Sequence, residues 1–383
     1  MTPSLCLGAT GFTLIAVCYG FARFAFGLFL PQIDAELSLS STLSGVISAG
    51  AFLGYCIAIV LSAYLTERVG ARPVAVGAAL VAAGGMAGIA SAPSATWLAV
   101  AVMLAGSSTG LASPPMAAAV SVVVRSSRQG ATNTAINAGT GAGVVLSGPV
   151  ALMMGDQWRL AYAGFAAAAV GLALAAAFSI PANIRSTTKS KGGIPPFNGV
   201  LRRLMFASFL MGSASTAVWS FGGQLVTARD AWNSTAVGLL WMGIGAAGIV
   251  GAGAGTLTAR YGLDRIHRIF LTTMAAGVLL VGVGGTTALA LCGGILFGAA
   301  YIMLTGLYLI WGVTALPDRP ATGLTTGFLT IAIGQTAGAP FFGMLMDRLT
   351  TDYAVTIFAC LALAACLARA EKEQGRSRPE CRE

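Results

Sequence analysis

Residues 8–30 read GATGFTLIAVCYGFARFAFGLFL, a stretch with no acid, no amide and a single charge, Arg23. A run of that length and character is what a helix needs to cross hydrocarbon, where an unsatisfied backbone group finds no water. Polar or Pro-containing joints separate eleven further apolar runs, at about 44–65, 73–91, 97–121, 131–153, 159–180, 204–226, 236–258, 269–285, 287–313, 323–346 and 353–370. With 9% charged residues, 56% hydrophobic residues and a mean hydropathy of +0.81, the 383-residue chain is not a soluble domain. All thirteen Asp and Glu residues read as lying outside these runs, and of 22 Lys and Arg only Arg23 lies in the interior of one, Arg159 and Arg369 standing at run ends. The expected fold is an all-α membrane protein of twelve transmembrane helices.

Loop charges predict its orientation. With both termini on one side, the loops there hold 2, 2, 5, 3 and 1 Lys or Arg, and the tail from Arg369 holds 5. Those eighteen face three on the other side: Arg159, Arg229 and Arg348. Positive-inside statistics therefore put both termini in the cytoplasm of a cell with this protein in its inner membrane. The net charge of +9 then faces anionic lipid, and nucleic acid is excluded as a partner. Residues 1–7 lack the basic start of a cleaved signal peptide.

Several chemistries have no residues to carry them. The seven cysteines (6, 18, 56, 292, 360, 366 and 381) have no paired spacing and read as small apolar side chains, not as disulfides or metal ligands. His267, the single histidine, reads as part of a basic inner loop, so no metal centre is expected. There is no Gly-Lys-Ser/Thr sequence for a nucleotide, and no cofactor is implied. Gly243-Ile-Gly-Ala-Ala-Gly248 has the dinucleotide pattern, but it lies inside an apolar run with no strand before it. Glycines at that spacing serve close helix packing in a bilayer. With no cluster of His, Cys, Asp or Glu, an enzyme is not expected.

The chain repeats itself. Ser41-Thr-Leu-Ser-Gly45 is echoed by Ser234-Thr-Ala-Val-Gly238 at an offset of 193, and Glu67-Arg-Val-Gly70 by Ala259-Arg-Tyr-Gly262 at 192. Gly148-Pro149 is echoed by Ala339-Pro340 at 191. Three matches at nearly one offset predict two six-helix halves, 1–180 and 204–370, joined by a cytoplasmic linker at 181–203 and followed by a tail at 371–383.

These features resemble the major facilitator superfamily of secondary transporters. Its signature after the second span is Gly-x-Leu-x-Asp-Arg-x-Gly-Arg-Lys/Arg, and here the stretch is Ala63-Tyr-Leu-Thr-Glu67-Arg68-Val-Gly70-Ala-Arg72. Gly20-Phe-Ala-Arg23-Phe-Ala-Phe-Gly27, followed by Leu30-Pro31, also looks like bacterial members. Two positions depart from the family's drug–proton antiporters. Val102 stands where they carry an Arg, and Leu152 and Met153 follow Gly148-Pro149 where they have glycines. The resemblance implies alternating access of two halves around a midplane site, with Glu67, Arg68, Gly70 and Arg72 as an inner gate and Arg260 as its partial echo. Gly148 and Pro149 are implied to serve helix packing.

The candidate substrate site follows from polar residues inside spans. Arg23 and Tyr19 share a helix face, as do Asn133 and Asn137 on the fifth run. Trp219 and Gln224 lie in the seventh run, Tyr301, Thr305 and Tyr308 form a stripe on the tenth, and Gln335 is in the eleventh. Arg23 either forks onto a substrate anion or bonds neighbouring helices. The reading is a monomeric transporter of a small-molecule substrate in a lipid bilayer, with export favoured by Gly148-Pro149. The alternative is a uniporter or exchanger for an organic or inorganic anion held by Arg23, and a more distant one is a sensor that transports nothing. Proton coupling would need a carboxylate within the spans, and none is expected there.

Overall fold

A computed structural model describes residues 3–182, 198–228 and 234–370. Ten helices are long and apolar enough to cross a membrane: α1 Ser4–Leu37, α2 Ser41–Val69, α3 Ala71–Ala90, α4 Ala95–Val123, α5 Ser126–Met154, α6 Trp158–Ser179, α8 Thr235–Tyr261, α9 Leu263–Val283, α10 Thr287–Ala315 and α11 Thr322–Arg348. The set of twelve is completed by α7, Gly199–Trp219 continued by the short segment Gly222–Thr227, and by α12, Thr351–Leu367. Most of the linker and the whole tail expected at 371–383 lie outside the described residues.

The same pairs form in each half. In the first, α2 packs on α4, α3 on α4 and α6, and α1 on α5; in the second, α8 packs on α10, α9 on α10 and α12, and α7 on α11. Glycine permits the tightest of these approaches. A Cβ added at Gly20 would stand 2.3 Å from the Gly143 backbone between α1 and α5, and one at Gly212 would stand 2.2 Å from the Ile331 carbonyl between α7 and α11. Gly70 and Gly262, 192 residues apart, close α2 and α8 with positive φ angles of 92° and 82°. Each donates its N–H back into the helix, to Thr66 and Thr258. A left-handed residue ends a helix at least strain when it has no Cβ, which is why both copies keep glycine.

Several boundaries differ from the sequence reading, and those at Leu37, Arg348 and Leu263 matter most. The first helix does not end near residue 30. It continues through Pro31 to Leu37 and so carries Asp34 and Glu36 within the span. Pro31 cannot donate to the Gly27 carbonyl, but a neighbouring helix covers that point: a Cβ at Gly223 of α7 would stand 2.5 Å from Gly27 O and 3.0 Å from the Pro31 ring. Likewise α11 runs to Arg348 and includes Asp347. Finally, α9 starts at Leu263, directly after the Gly262 turn, so His267 is no loop residue. It is fully buried, and its Nε2 lies 3.0 Å from the Tyr308 hydroxyl.

The halves meet mainly toward the end of the bundle opposite the termini, called the closed end below. Their seams are pairs of repeat-related helices, α2 on α11 and α8 on α5. A Cβ at Gly45 would stand 2.4 Å from Ala339 O, and one at Gly148 would stand 2.7 Å from Gly238 O. Gly45 and Gly238 are one repeat pair, and Ala339 and Gly148 another, so the two contacts are copies of each other. Of the dinucleotide-like glycines of α8, Gly245 does the same work, a Cβ there standing 2.7 Å from Gly141 O, while Gly243 and Gly248 face Ile295 and Ile302 of α10 within the second half.

Candidate substrate site between the halves

Near the middle of α1 the helix widens to a π-helical ladder over Ala16–Phe24, and Arg23 lies in that segment. Such segments are frequent at functional sites, because the extra residue per turn re-aims side chains. Arg23 is 7% exposed. Its Nη2 donates to Gln335 Oε1 of α11 at 2.7 Å, a hydrogen bond from one half to the other. Four rings surround the guanidinium: Tyr55, Phe52, Phe24 and Tyr19, with centroids 4.7, 4.9, 5.3 and 5.8 Å from Cζ. Ring faces stabilise a desolvated cation, by roughly 2 kcal/mol for a well-placed one.

Gln335 extends the network. Its Nε2 donates to the hydroxyls of Ser215 on α7 and Tyr301 on α10, both at 3.2 Å. Trp219 stacks on Phe24 at 4.1 Å and meets Tyr301 edge-on at 5.3 Å. The Tyr19 hydroxyl lies 3.3 Å from Ser113 Oγ of α4. One connected site thus holds Arg23, Tyr19, Trp219, Tyr301 and Gln335. Two of its buried donors, Arg23 Nε and Trp219 Nε1, have no hydrogen-bond partner among the described residues. Buried donors are nearly always paired, and these two are free to serve an acceptor.

Other candidate residues lie elsewhere. Gln224 is at the closed end, where it donates to Asp34, and Tyr308 is inside the second half against His267. Thr305 is half-buried and donates to the Ile302 carbonyl of its own helix. Asn133 is half-buried and Asn137 exposed on the terminus-end part of α5, which buries only Ile136 over Ser126–Asn137. Gly143 packs on Ala16 and Gly20, so Asn137 lies about 9 Å nearer the terminus end than that contact and further still from the Arg23 level.

The expected gate residues are apart from one another here. Glu67 is exposed and makes no hydrogen bond or ion pair among the described residues; Arg68, also exposed, lies over the Tyr64 ring at 4.4 Å. Arg72 donates to the Ile180 carbonyl, tying α3 to the end of α6 within the first half. Arg260 covers Tyr261 at 5.2 Å, and the α8 stretch Ala254–Tyr261 buries only Ala254. Phe52, Tyr55 and Ser215 belong to the site and were not singled out from sequence. Phe52 and Tyr55, three residues apart on one face of α2, carried the only signal, since apolar spans are full of aromatic residues used for packing.

Among the described residues no three of His, Cys, Asp or Glu converge as metal ligands would.

Comparison with known proteins agrees with this architecture. No curated protein matches the chain. Among solved structures, a mutant of the nucleoside transporter NupG superposes with a TM-score of 0.82 at 13% identity, covering 96% of this chain and 98% of that one. A D-xylose-proton symporter gives 0.73 at 16% identity, covering 95% and 96%. A bacterial homologue of the human lysosomal transporter Spinster, in an inward-facing and unoccupied conformation, gives 0.70 at 13% identity, covering 95% and 93%. At these identities the likeness shows the fold. The sequence model of the Major Facilitator Superfamily matches residues 12–332, most of the chain, and with twelve helices, a two-fold repeat and seams built from repeat-related residues, this protein belongs to that superfamily of membrane transporters.

Proposed function

We propose that this chain is a secondary transporter that moves a small organic anion by alternating access of residues 1–180 and 204–370 about Arg23. One observation carries the substrate class: Arg23 is buried between the halves with an amide and four rings around it, and its Nε stays unpaired among the described residues. A bare cation in hydrocarbon is costly unless something neutralises it in at least part of the cycle. A carboxylate would accept from the guanidinium fork, with Trp219 Nε1 as a further donor, while the rings would flank an apolar body. Gln335, Tyr301 and Tyr19 would orient the guest.

The loop charges favour a cytoplasmic location for both termini, which makes the closed end the outer one and the described state open toward the cytoplasm. Export is the direction we favour, from the Gly148-Pro149 resemblance, and the working unit is the monomer. Gln335 binds Arg23 in this state, so a guest would compete with or bridge that contact.

A thermal-stability panel on purified protein tests this reading. Organic carboxylates should stabilise the wild type and not Arg23→Gln, whereas lipophilic cations, nucleosides and pentoses should stabilise neither. Stabilisation by a neutral or cationic solute that survives Arg23→Gln would overturn the anion assignment. Flux of the best ligand into liposomes then separates a transporter from a sensor.

A further inference from the structure

One edge of the Arg23 guanidinium carries two parallel N–H groups, on Nε and Nη2, the pair that meets both oxygens of a carboxylate. One of these two seats is filled and the other is not. Nη2 donates to Gln335 Oε1 at 2.7 Å, while Nε is buried without a hydrogen-bond partner among the described residues. An amide has a single oxygen to offer, so it occupies one seat only. It is also neutral, and leaves the cation uncompensated among the four rings.

The fully buried Gln335 amide is held in this orientation from behind. Its Nε2 donates to the Ser215 and Tyr301 hydroxyls, both at 3.2 Å. Ser215 gives its own proton to the Gly212 carbonyl at 2.7 Å, so toward Gln335 it can only accept. Arg23 can only donate. Between these two, the carbonyl end of Gln335 must face Arg23 and its amino end must face Ser215. Turned over, the amide would set donor against donor at Arg23 and acceptor against acceptor at Ser215. Gln335 therefore cannot swing round to donate to an arriving carboxylate. Of the two relations open to a guest, bridging this contact or competing with it, competition follows.

We propose that Gln335 is a built-in stand-in for the guest's carboxylate. In the empty carrier it keeps Nη2 satisfied. It thereby excludes solutes that offer one neutral oxygen, such as alcohols, amides and sugars, because these bring nothing that Gln335 does not already supply. A carboxylate displaces it by taking Nη2 and Nε together and by neutralising the guanidinium. Gln335 orients the guest through the seat it vacates, and it sets a threshold that only a two-oxygen anion passes. This proposal rests on the reading of Arg23 as a carboxylate site.

Isothermal titration of the purified protein with benzoate and hexanoate, two carboxylates with apolar bodies, tests it. Gln335→Met keeps the length of the side chain and removes its oxygen, so the guest loses its competitor. Binding should tighten about tenfold or more, as expected for one charge-assisted hydrogen bond. Gln335→Glu fills the seat with a full charge and should weaken binding by at least as much. A merely structural role cannot produce the gain. Ser215→Ala loosens the amide from behind and should also tighten binding, which covers the case in which Gln335→Met does not fold. Weaker or unchanged binding in Gln335→Met or Ser215→Ala, or wild-type binding in Gln335→Glu, would overturn the stand-in and leave Arg23 as the anion site. Carboxylates that bind neither the wild type nor these variants would overturn the anion reading as well.

Discussion

The two ends of this bundle are built from the same repeat yet packed differently. At the closed end, backbone meets backbone: Gly45 lies on Ala339, Gly343 on Ser41 and Gly148 on Gly238, with added Cβ atoms only 2.1–2.7 Å from carbonyl oxygens. Carboxylates supplement that fit, with Asp347 capping α2 through the N–H groups of Ser41 and Thr42 at 3.1 and 2.7 Å. Ser48 and Ser220 add a buried hydroxyl pair at 2.6 Å. At the terminus end the matching stretches of α5 and α8 bury one residue each, and Glu67, Arg68 and Arg260 are exposed. Small residues with few, short polar hooks can close and reopen. A broad apolar seam would hold one state too firmly for a cycle.

The largest expected effect comes from filling the closed seam. Gly45→Leu must push against the Ala339 carbonyl, which is backbone and cannot turn aside, and overpacking of this kind costs about 3 kcal/mol. Closure at that end should fail, read as new accessibility of Ser48→Cys to a water-soluble thiol reagent. The control is Gly130→Leu on the terminus-end part of α5, where an added Cβ meets nothing within 4 Å. It should leave accessibility and transport unchanged. Equal effects of the two variants would erase the contrast between the ends.

Next in size is the midplane. Arg23→Gln should weaken binding of an organic carboxylate by roughly ten- to a hundredfold, the worth of a buried charge-assisted hydrogen bond of ~1.5–3 kcal/mol. Arg23→Lys should be nearly as damaging, because it keeps the charge and loses the planar fork. Isothermal titration on both variants checks this, and wild-type affinity in Arg23→Lys would reduce the contact to a point charge.

Much of this contrast could be read from sequence, for a physical reason. Gly45, Gly238, Gly148 and Ala339 repeat because a backbone approach tolerates no larger side chain, so the requirement is written in the residue type itself. Gly70 and Gly262 recur because the turn demands a positive φ. Arg23 stood out because charge in a span is rare. Asp34 was not legible in the same way. Pro31 reads as a stop, and only the packing of Gly223 over the Gly27 carbonyl explains why the helix runs on and takes Asp34 and Glu36 into the span. Gln224 was visible as a polar residue, but its partner was not, since that pairing joins helices 190 residues apart. His267 was misplaced because the two Arg residues beside it look like a loop, while Gly262 had already turned the chain into α9.

Smaller effects sharpen the comparison. Asp347→Ala removes a cap at the start of α2 and should lower the closed-end population by about 1 kcal/mol, or roughly fivefold, measured by the same thiol accessibility. An unchanged population would make Asp347 incidental to closure. Glu67→Gln should do least in this state, within about 0.5 kcal/mol in thermal unfolding, because Glu67 is exposed and engages nothing among the described residues. Its effect belongs to the opposite state, where the inner ends meet, so slower transport with unaltered stability is the expected pair of results. A clear loss of thermal stability would show that Glu67 already holds the described state together.

The most direct test of alternating access follows both ends at once. Pulsed electron paramagnetic resonance distances would be recorded in lipid nanodiscs for label pairs at 153 and 235 on the closed end and at 130 and 255 on the terminus end. The account predicts a short principal distance for the first pair and a longer, broader one for the second. In Gly45→Leu the two should change places, with the first pair lengthening as the second shortens. Two distances that stay fixed in Gly45→Leu and in the presence of organic carboxylates, or that lengthen together, would contradict it.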